Sequence, residues 1–190
     1  GVDAFASIQA AIGSGALRVL LGPGVYREAF YPVNGVQVIG SGADATIITP
    51  PASATVAIAR AEGIQGATLA RLTLAASGKI EGLRVENGSQ DVNLTRAIIR
   101  NTTYAVHVDG AQSAVQVINN TLVNNVSGLT ATACGSYTVR NTIFAFNSQT
   151  GLNAQGCAVT KLHTFNDYWR NTKNVSIDGN TTTPPGPGEI

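Results

Sequence analysis

The amino-acid sequence predicts an all-β chain, a single-stranded parallel β-helix of about 22–24 residues per coil with a short N-terminal capping helix, and three observations carry that prediction. Gly82-Leu83-Arg84-Val85-Glu86, Ala105-Val106-His107-Val108-Asp109, Gly128-Leu129-Thr130-Ala131-Thr132 and Gly151-Leu152-Asn153-Ala154-Gln155 fall into register at a shift of 23 residues. Each stretch alternates apolar and polar residues, as a half-buried strand does. Two further β-rich runs follow every one of them, and Asn101, Asn125, Asn147 and Asn171 recur at intervals of 24, 22 and 24 residues. Asparagine tolerates the left-handed backbone of a sharp corner, and its amide can hydrogen-bond along a stack of coils.

The elements follow in order. Residues 3–13 read as the cap helix, with Phe5, Ile8, Ala11 and Ile12 near one face, Asp3 as N-cap and Gly13 as stop. Such a helix covers strand edges that would otherwise recruit other chains. Leu17–Leu21, Val36–Gly40 and Thr46–Ile48 are short strands in a first third whose repeats are irregular, as terminal repeats usually are. The second runs of the regular coils are Val92–Leu94, Val115–Ile118, Tyr137–Val139 and Val159–Leu162, and the third runs are Ala97–Asn101, Thr121–Asn125, Thr142–Asn147 and Asp167–Asn171. One β-helix domain is expected over 1–177, and a flexible Pro/Gly-rich tail or linker over 178–190.

Stacking at about 4.8 Å places equivalent residues above one another. Leu83, Val106, Leu129 and Leu152, with Val85, Val108, Ala131 and Ala154, are expected inside. Arg84, His107, Thr130 and Asn153 then form one outward column, and Glu86, Asp109, Thr132 and Gln155 the next. Arg84, Glu86, His107 and Asp109 are the candidate site: two stacked carboxylates raise the pKa of one of them, and their spacing approaches that of retaining glycosidases. The plainer reading is a solvated face whose opposite charges offset one another. Cys134 and Cys157 occupy one corner of consecutive coils, and parallel Cβ directions favour a buried pair of thiols over a disulfide. Asn-x-Ser/Thr triplets, at Asn87 and Asn93 for example, arise from the ladders themselves, and His163 and Trp169 read as packing.

Of the residues, 44% are apolar and only 12% charged, which suits a slim aliphatic core. A net charge of +1 provides no basic stripe for nucleic acid, and no apolar run is long enough for membrane insertion. Methionine is absent, so the chain reads as a mature or excised segment of a longer precursor.

Ser7–Ile12, Val19–Glu28, Val38–Gly42 and Thr46–Ile48, followed by the asparagine-closed coils, resemble the pectin lyase-like right-handed parallel β-helix superfamily over most of residues 3–177. The resemblance implies the right hand, which parallel crossovers also prefer. His163–Asn171 resembles the last regular coil of bacterial surface β-helix proteins. The superfamily's polygalacturonases carry paired carboxylates, a His-Gly and an Arg-x-Lys. The positions preceding the aligned stretches here are Glu81, Tyr104, Ser127 and Thr150, which match none of them.

The resemblance therefore implies a noncatalytic module of a secreted or cell-surface protein, a rigid scaffold or an adhesion and carbohydrate-contact surface. The alternatives are a polysaccharide lyase or glycoside hydrolase acting through Arg84, Glu86, His107 and Asp109 or through residues outside this sequence, and a carbohydrate-binding module. No cofactor is expected; calcium, with Glu86 and Asp109 as ligands, is the one metal left open. The expected partner of a monomeric chain is a polysaccharide or a cell-surface component.

Overall fold

A computed structural model describes residues 5–157, 161–179 and 187–190. It is a right-handed parallel β-helix of about seven turns with three parallel sheets. Sheet A stacks Arg18–Leu21, Gln37–Gly40, Thr68–Ala70, Val92–Thr95, Ala114–Ile118, Ser136–Arg140 and Lys161–Thr164. Sheet B stacks Gly24–Arg27, Thr46–Thr49, Thr73–Ala75, Ile98–Arg100, Thr121–Val123, Ile143–Ala145 and Asp167–Trp169. Sheet C stacks Ala57–Glu62, Glu81–Glu86, Tyr104–Asp109, Ser127–Thr132, Thr150–Gln155 and Lys173–Ile177.

The 23-residue register holds in sheet C, where Ala59, Leu83, Val106, Leu129, Leu152 and Val175 form one interior file. None of the six is more than 6% exposed. Strict alternation fails once per strand. Pairing passes from Tyr104↔Ser127 to Val106↔Leu129 and skips the residue between, because Gly82, Ala105, Gly128 and Gly151 turn inward beside the leucine-bearing position. A Cβ on Gly82 would stand 2.5 Å from Ile99 Cγ2, and one on Gly128 2.5 Å from Phe144 Cδ1. The recurrent small residue is thus a packing requirement of the core.

In sheet A the last expected pairing shifts. Tyr137 stacks on Lys161 and Val139 on His163, while Val159 and Thr160 lie outside the described residues.

At the corner between sheets B and C, the left-handed residues are Asn101, Asn124, Phe146 and Arg170, with φ of 58°, 57°, 55° and 53°. The ladder asparagines follow one residue later and do not include Asn101: the column is Thr102, Asn125, Asn147 and Asn171. Asn147 Oδ1 accepts from Asn125 N at 3.1 Å, and Asn147 Nδ2 donates to Leu122 O at 3.1 Å and to Asn171 Oδ1 at 2.8 Å. The amide earns its place by giving one buried acceptor and two donors to neighbouring coils, not by tolerating positive φ. Asn120 and Asn166 do the same between sheets A and B.

The helix runs over Ile8–Gly13, shorter than 3–13, and buries Ile8, Ala11 and Ile12 but leaves Phe5 exposed. Ser7 is the N-cap, with Ala10 N donating to its Oγ at 3.0 Å, while Asp3, the expected cap, lies outside the described residues. Ile8 N and Gln9 N donate to the Glu28 carboxylate, an anion placed at the positive end of the helix.

At the other end, within the segment 178–190 expected as a tail, the last four residues pair with the final coil. Tyr168 N donates to Ile190 O at 2.9 Å and Ile190 N to Asn166 O at 3.2 Å. The buried Glu189 meets His163 Nδ1 at 3.0 Å and Asn166 Nδ2 at 2.7 Å. His163 therefore serves this end closure.

Cys134 and Cys157 form a disulfide, with Cα atoms 4.4 Å apart, and this corrects the expectation of thiols. Both residues follow a left-handed residue, Ala133 or Gly156, at the corner after a sheet C strand. Their Cβ atoms are therefore not bound to the parallel direction that strand pairing imposes.

Two outcomes are expected. Asn147→Ala strands buried groups on both neighbouring coils and costs about 2–3 kcal/mol, lowering the melting temperature by roughly 5–10 °C. The double variant Cys134→Ser/Cys157→Ser loses about 3 kcal/mol in urea unfolding, and the unreduced native sequence releases no titratable thiol in denaturant.

Candidate functional site

Sheet C carries the ionisable residues on its outer face, clustered in its first three strands. Arg60, Arg84 and His107 stack in one outward column, and Glu62, Glu86 and Asp109 end the same strands. The structure brings all four expected residues together around Arg84. Its Nε donates to Glu86 Oε2 at 2.6 Å, its Nη2 to Asp109 Oδ2 at 3.1 Å and its Nη1 to Glu81 Oε1 at 3.0 Å. His107 Nδ1 lies 2.9 Å from Glu81 Oε1 and 3.1 Å from Arg84 Nη1. Since an ionised carboxylate can only accept, the shorter contact assigns Nδ1–H as donor to Glu81, and the approach of Arg84 Nη1 to the same nitrogen is then a contact without a hydrogen bond. Tyr104 packs edge-on against the imidazole, with ring centroids 4.9 Å apart.

Three members were not foreseen. Arg60 and Glu62 add the preceding coil: Arg60 Nε donates to Glu86 Oε1 and its Nη2 meets Glu62 Oε2 at 3.2 Å. The signal was in the sequence, for Ala59-Arg60-Ala61-Glu62 repeats the pattern of Leu83-Arg84-Val85-Glu86. Glu81 escapes simple alternation, which counts it as interior. The inward turn of Gly82 reverses the phase and sends Glu81 outward to Arg84 and His107.

Electrostatics also differ from the expectation. Burial opposes ionisation of Glu86, but hydrogen bonds from Arg84 and Arg60, reinforced by their charges, outweigh it and hold the carboxyl below its ordinary value. A guanidinium stands between Glu86 and Asp109, so stacking does not raise the Glu86 pKa. The same guanidinium occupies the place a calcium ion between those two carboxylates would take. Burial opposes the charge of Arg84, and Glu86, Glu81 and Asp109 together raise its pKa above the usual arginine value. Among the described residues no group of three or more His, Cys, Asp or Glu is arranged to hold a metal. On this sheet two side-chain oxygens, Glu81 Oε2 and Thr130 Oγ1, are buried without a hydrogen-bond partner among the described residues.

Beside the cluster, the irregular first coils open a cavity of about 350 Å³ lined by Arg27, Tyr31, Ser53, Thr55 and Arg60. The first coil contributes to sheet C only the bridge Phe30↔Ala59. Beyond His107 the same face carries the uncharged Thr130, Thr132, Asn153, Gln155 and Ser176, and the exposed Lys173 in the last strand. Trp169, expected to pack, is 56% exposed.

Glu86 provides a pH test. Its lowered pKa contributes stability that is complete above the unfolded value of 4.5 and is lost as pH falls through the folded one. Glu86→Gln abolishes that contribution. The variant is less stable than the native sequence at neutral pH, and the difference narrows as pH falls below the unfolded value of 4.5, as read from urea midpoints.

No family model matches the chain, and no curated protein matches it. Solved structures do. The A-module of Azotobacter vinelandii mannuronan C-5 epimerase AlgE6 superposes with a TM-score of 0.62 at 18% identity, over 90% of this chain and 51% of that one. The AlgE4 A-module from the same organism gives 0.51 at 16% identity, over 90% and 64%. The catalytic domain of a GH87 α-1,3-glucanase, solved with tetrasaccharides, gives 0.60 at 17% identity, over 99% and 40%. The chain spans about half the length of these structures, and at such identity the likeness is one of fold. In fold, the chain is a right-handed parallel β-helix, as these structures are.

Proposed function

We propose that the chain is a noncatalytic β-helix module of a secreted or cell-surface protein, and that the outer face of sheet C is a contact surface for a polysaccharide. The observation that carries this reading is the continuous polar face of one sheet. It passes from Arg60, Arg84 and His107 over the buried Thr130 to Asn153, while Thr132 and Gln155 expose the neighbouring column beside it. Coils about 4.8 Å apart present a polar side chain of one column or the other at each step from Arg60 to Gln155 to a polymer lying along the axis. Hydroxyls, amides and guanidinium edges are the donors and acceptors that a chain of hydroxyl-bearing sugars uses.

The noncatalytic half of the reading rests on charge. General acid catalysis by a carboxyl needs a raised pKa, whereas Glu86 is held ionised between two arginines. Both arginines are themselves committed to carboxylates. Placement outside the cytosol is supported by the disulfide, since such bonds persist in oxidising compartments. The solved structures of like fold include carbohydrate-active domains.

The test is incubation with polygalacturonate, alginate and a neutral glucan, with and without calcium, following unsaturated products, reducing ends and retardation in affinity gels. Binding without product is expected, and Asn153→Ala/Gln155→Ala should weaken it about tenfold. Release of unsaturated or reducing ends would replace this reading with that of a lyase or hydrolase acting at Arg84, Glu86, His107 and Asp109.

A further inference from the structure

The corner between sheets B and C holds a second feature, which the charged cluster does not involve. Its left-handed position is filled by Asn101 and Asn124 in two successive coils, and in the next by Phe146 at φ 55°. Asparagine is among the residues that tolerate this region, while a bulky ring there is an outlier that costs backbone energy. Core packing does not compensate, for Phe146 is 46% exposed. One coil further on, Arg170 takes the same position at φ 53°, directly after Trp169.

The three side chains form a unit. The Arg170 guanidinium lies 5.9 Å from the Phe146 ring centroid and 5.7 Å from that of Trp169. This cation–π contact with both rings holds them in fixed relation. Trp169 stands outward in register with Ala145, a residue too small to cover it. Arg170 is exposed, and no ion pair or hydrogen bond of its side chain engages it among the described residues. Its in-plane N–H groups are therefore available to a ligand.

We infer that Phe146, Trp169 and Arg170 form a binding platform for a pyranose ring of a polysaccharide. The apolar C–H face of the sugar lies on Trp169 and Phe146, and Arg170 donates to its hydroxyl or carboxylate oxygens. Size selects this occupant. Besides the two rings, the exposed large apolar side chains of these last coils are Ile143, Phe165 and Ile190, a set far smaller than the roughly 20–30 residues a side of a standard protein interface. One flat ring with in-plane donors matches a sugar, which has an apolar face and a polar rim. The inference shares its ligand class with the proposed function and uses a different surface, so each can fail alone.

The experiment is affinity electrophoresis and isothermal titration of the 190-residue chain with soluble neutral glucan, alginate and polygalacturonate. Trp169→Ala is expected to weaken binding at least tenfold. Phe146→Asn, which restores the residue of the preceding coil, is expected to weaken binding while its melting temperature stays at or above that of the native sequence. A ring kept only for packing would lower the melting temperature on replacement.

Loss of binding on the neutral glucan alone, or on the acidic polymers alone, assigns the oxygen that Arg170 meets. Unchanged binding in both platform variants, with loss in Asn153→Ala/Gln155→Ala, overturns the platform and leaves the sheet C reading standing. The opposite pattern supports the platform and overturns sheet C as the contact. Absence of any polysaccharide binding overturns the platform, as does self-association of the native sequence that Trp169→Ala abolishes in sedimentation.

Discussion

Coil-to-coil hydrogen bonding of the backbone is the constraint on which the rest of this structure depends. Once the chain returns to the same strand after each winding, like positions become vertical neighbours and a side chain is chosen against its counterparts above and below. The interior file from Ala59 to Val175 is aliphatic because every member must fill the same narrow space. The amide column of Asn125, Asn147 and Asn171 exists because the corners interrupt the strands. There, backbone groups that would otherwise be orphaned are satisfied by side chains.

The same vertical neighbourhood governs the charged face. Stacking alone would set Glu62, Glu86 and Asp109 against one another. Stacking also brings Arg60 and Arg84 into the adjacent column, and their guanidinium groups reach across to bridge the acids. The result is a basic column beside an acidic one, with guanidinium groups bridging carboxylates of their own and the next coil and holding Glu86 ionised. Its outermost pair, Arg60 with Glu62, is partly solvated and adds little. The pairs that Arg84 makes with Glu81 and Glu86 are better shielded and define its geometry.

Much of this was legible in the sequence, because a repeat of 23 residues in the regular coils exposes its own register. Leu83, Val106, Leu129 and Leu152 could be placed inside, and Arg84, Glu86, His107 and Asp109 brought to one patch, by alignment and alternation alone. Glu81 was hidden by a change of phase. Gly82 turns inward beside Leu83, and no local pattern distinguishes that from ordinary alternation until the Ile99 side chain is seen against it. The ladder asparagine was recognised but its neighbour was conflated with it, since Asn124 and Asn125 are identical in type and differ only in backbone. Arg60 was missed for the opposite reason. The first coils differ in length, so the alignment was not carried back to them. The disulfide hinged on the direction of two Cβ atoms at a corner, a property that spacing does not determine.

Joining Cys134 to Cys157 turns one full winding into a covalent ring. A β-helix pulled at one end unzips coil by coil, each rung protecting only the next. Tension applied beyond Cys157 would cross the sulfur bridge directly to Cys134 and bypass the residues between them, so that Ser136–Arg140, Ile143–Ala145 and Thr150–Gln155 bear no axial load. The winding that carries Phe146 is thus shielded from being drawn out along its own backbone while the bond is intact.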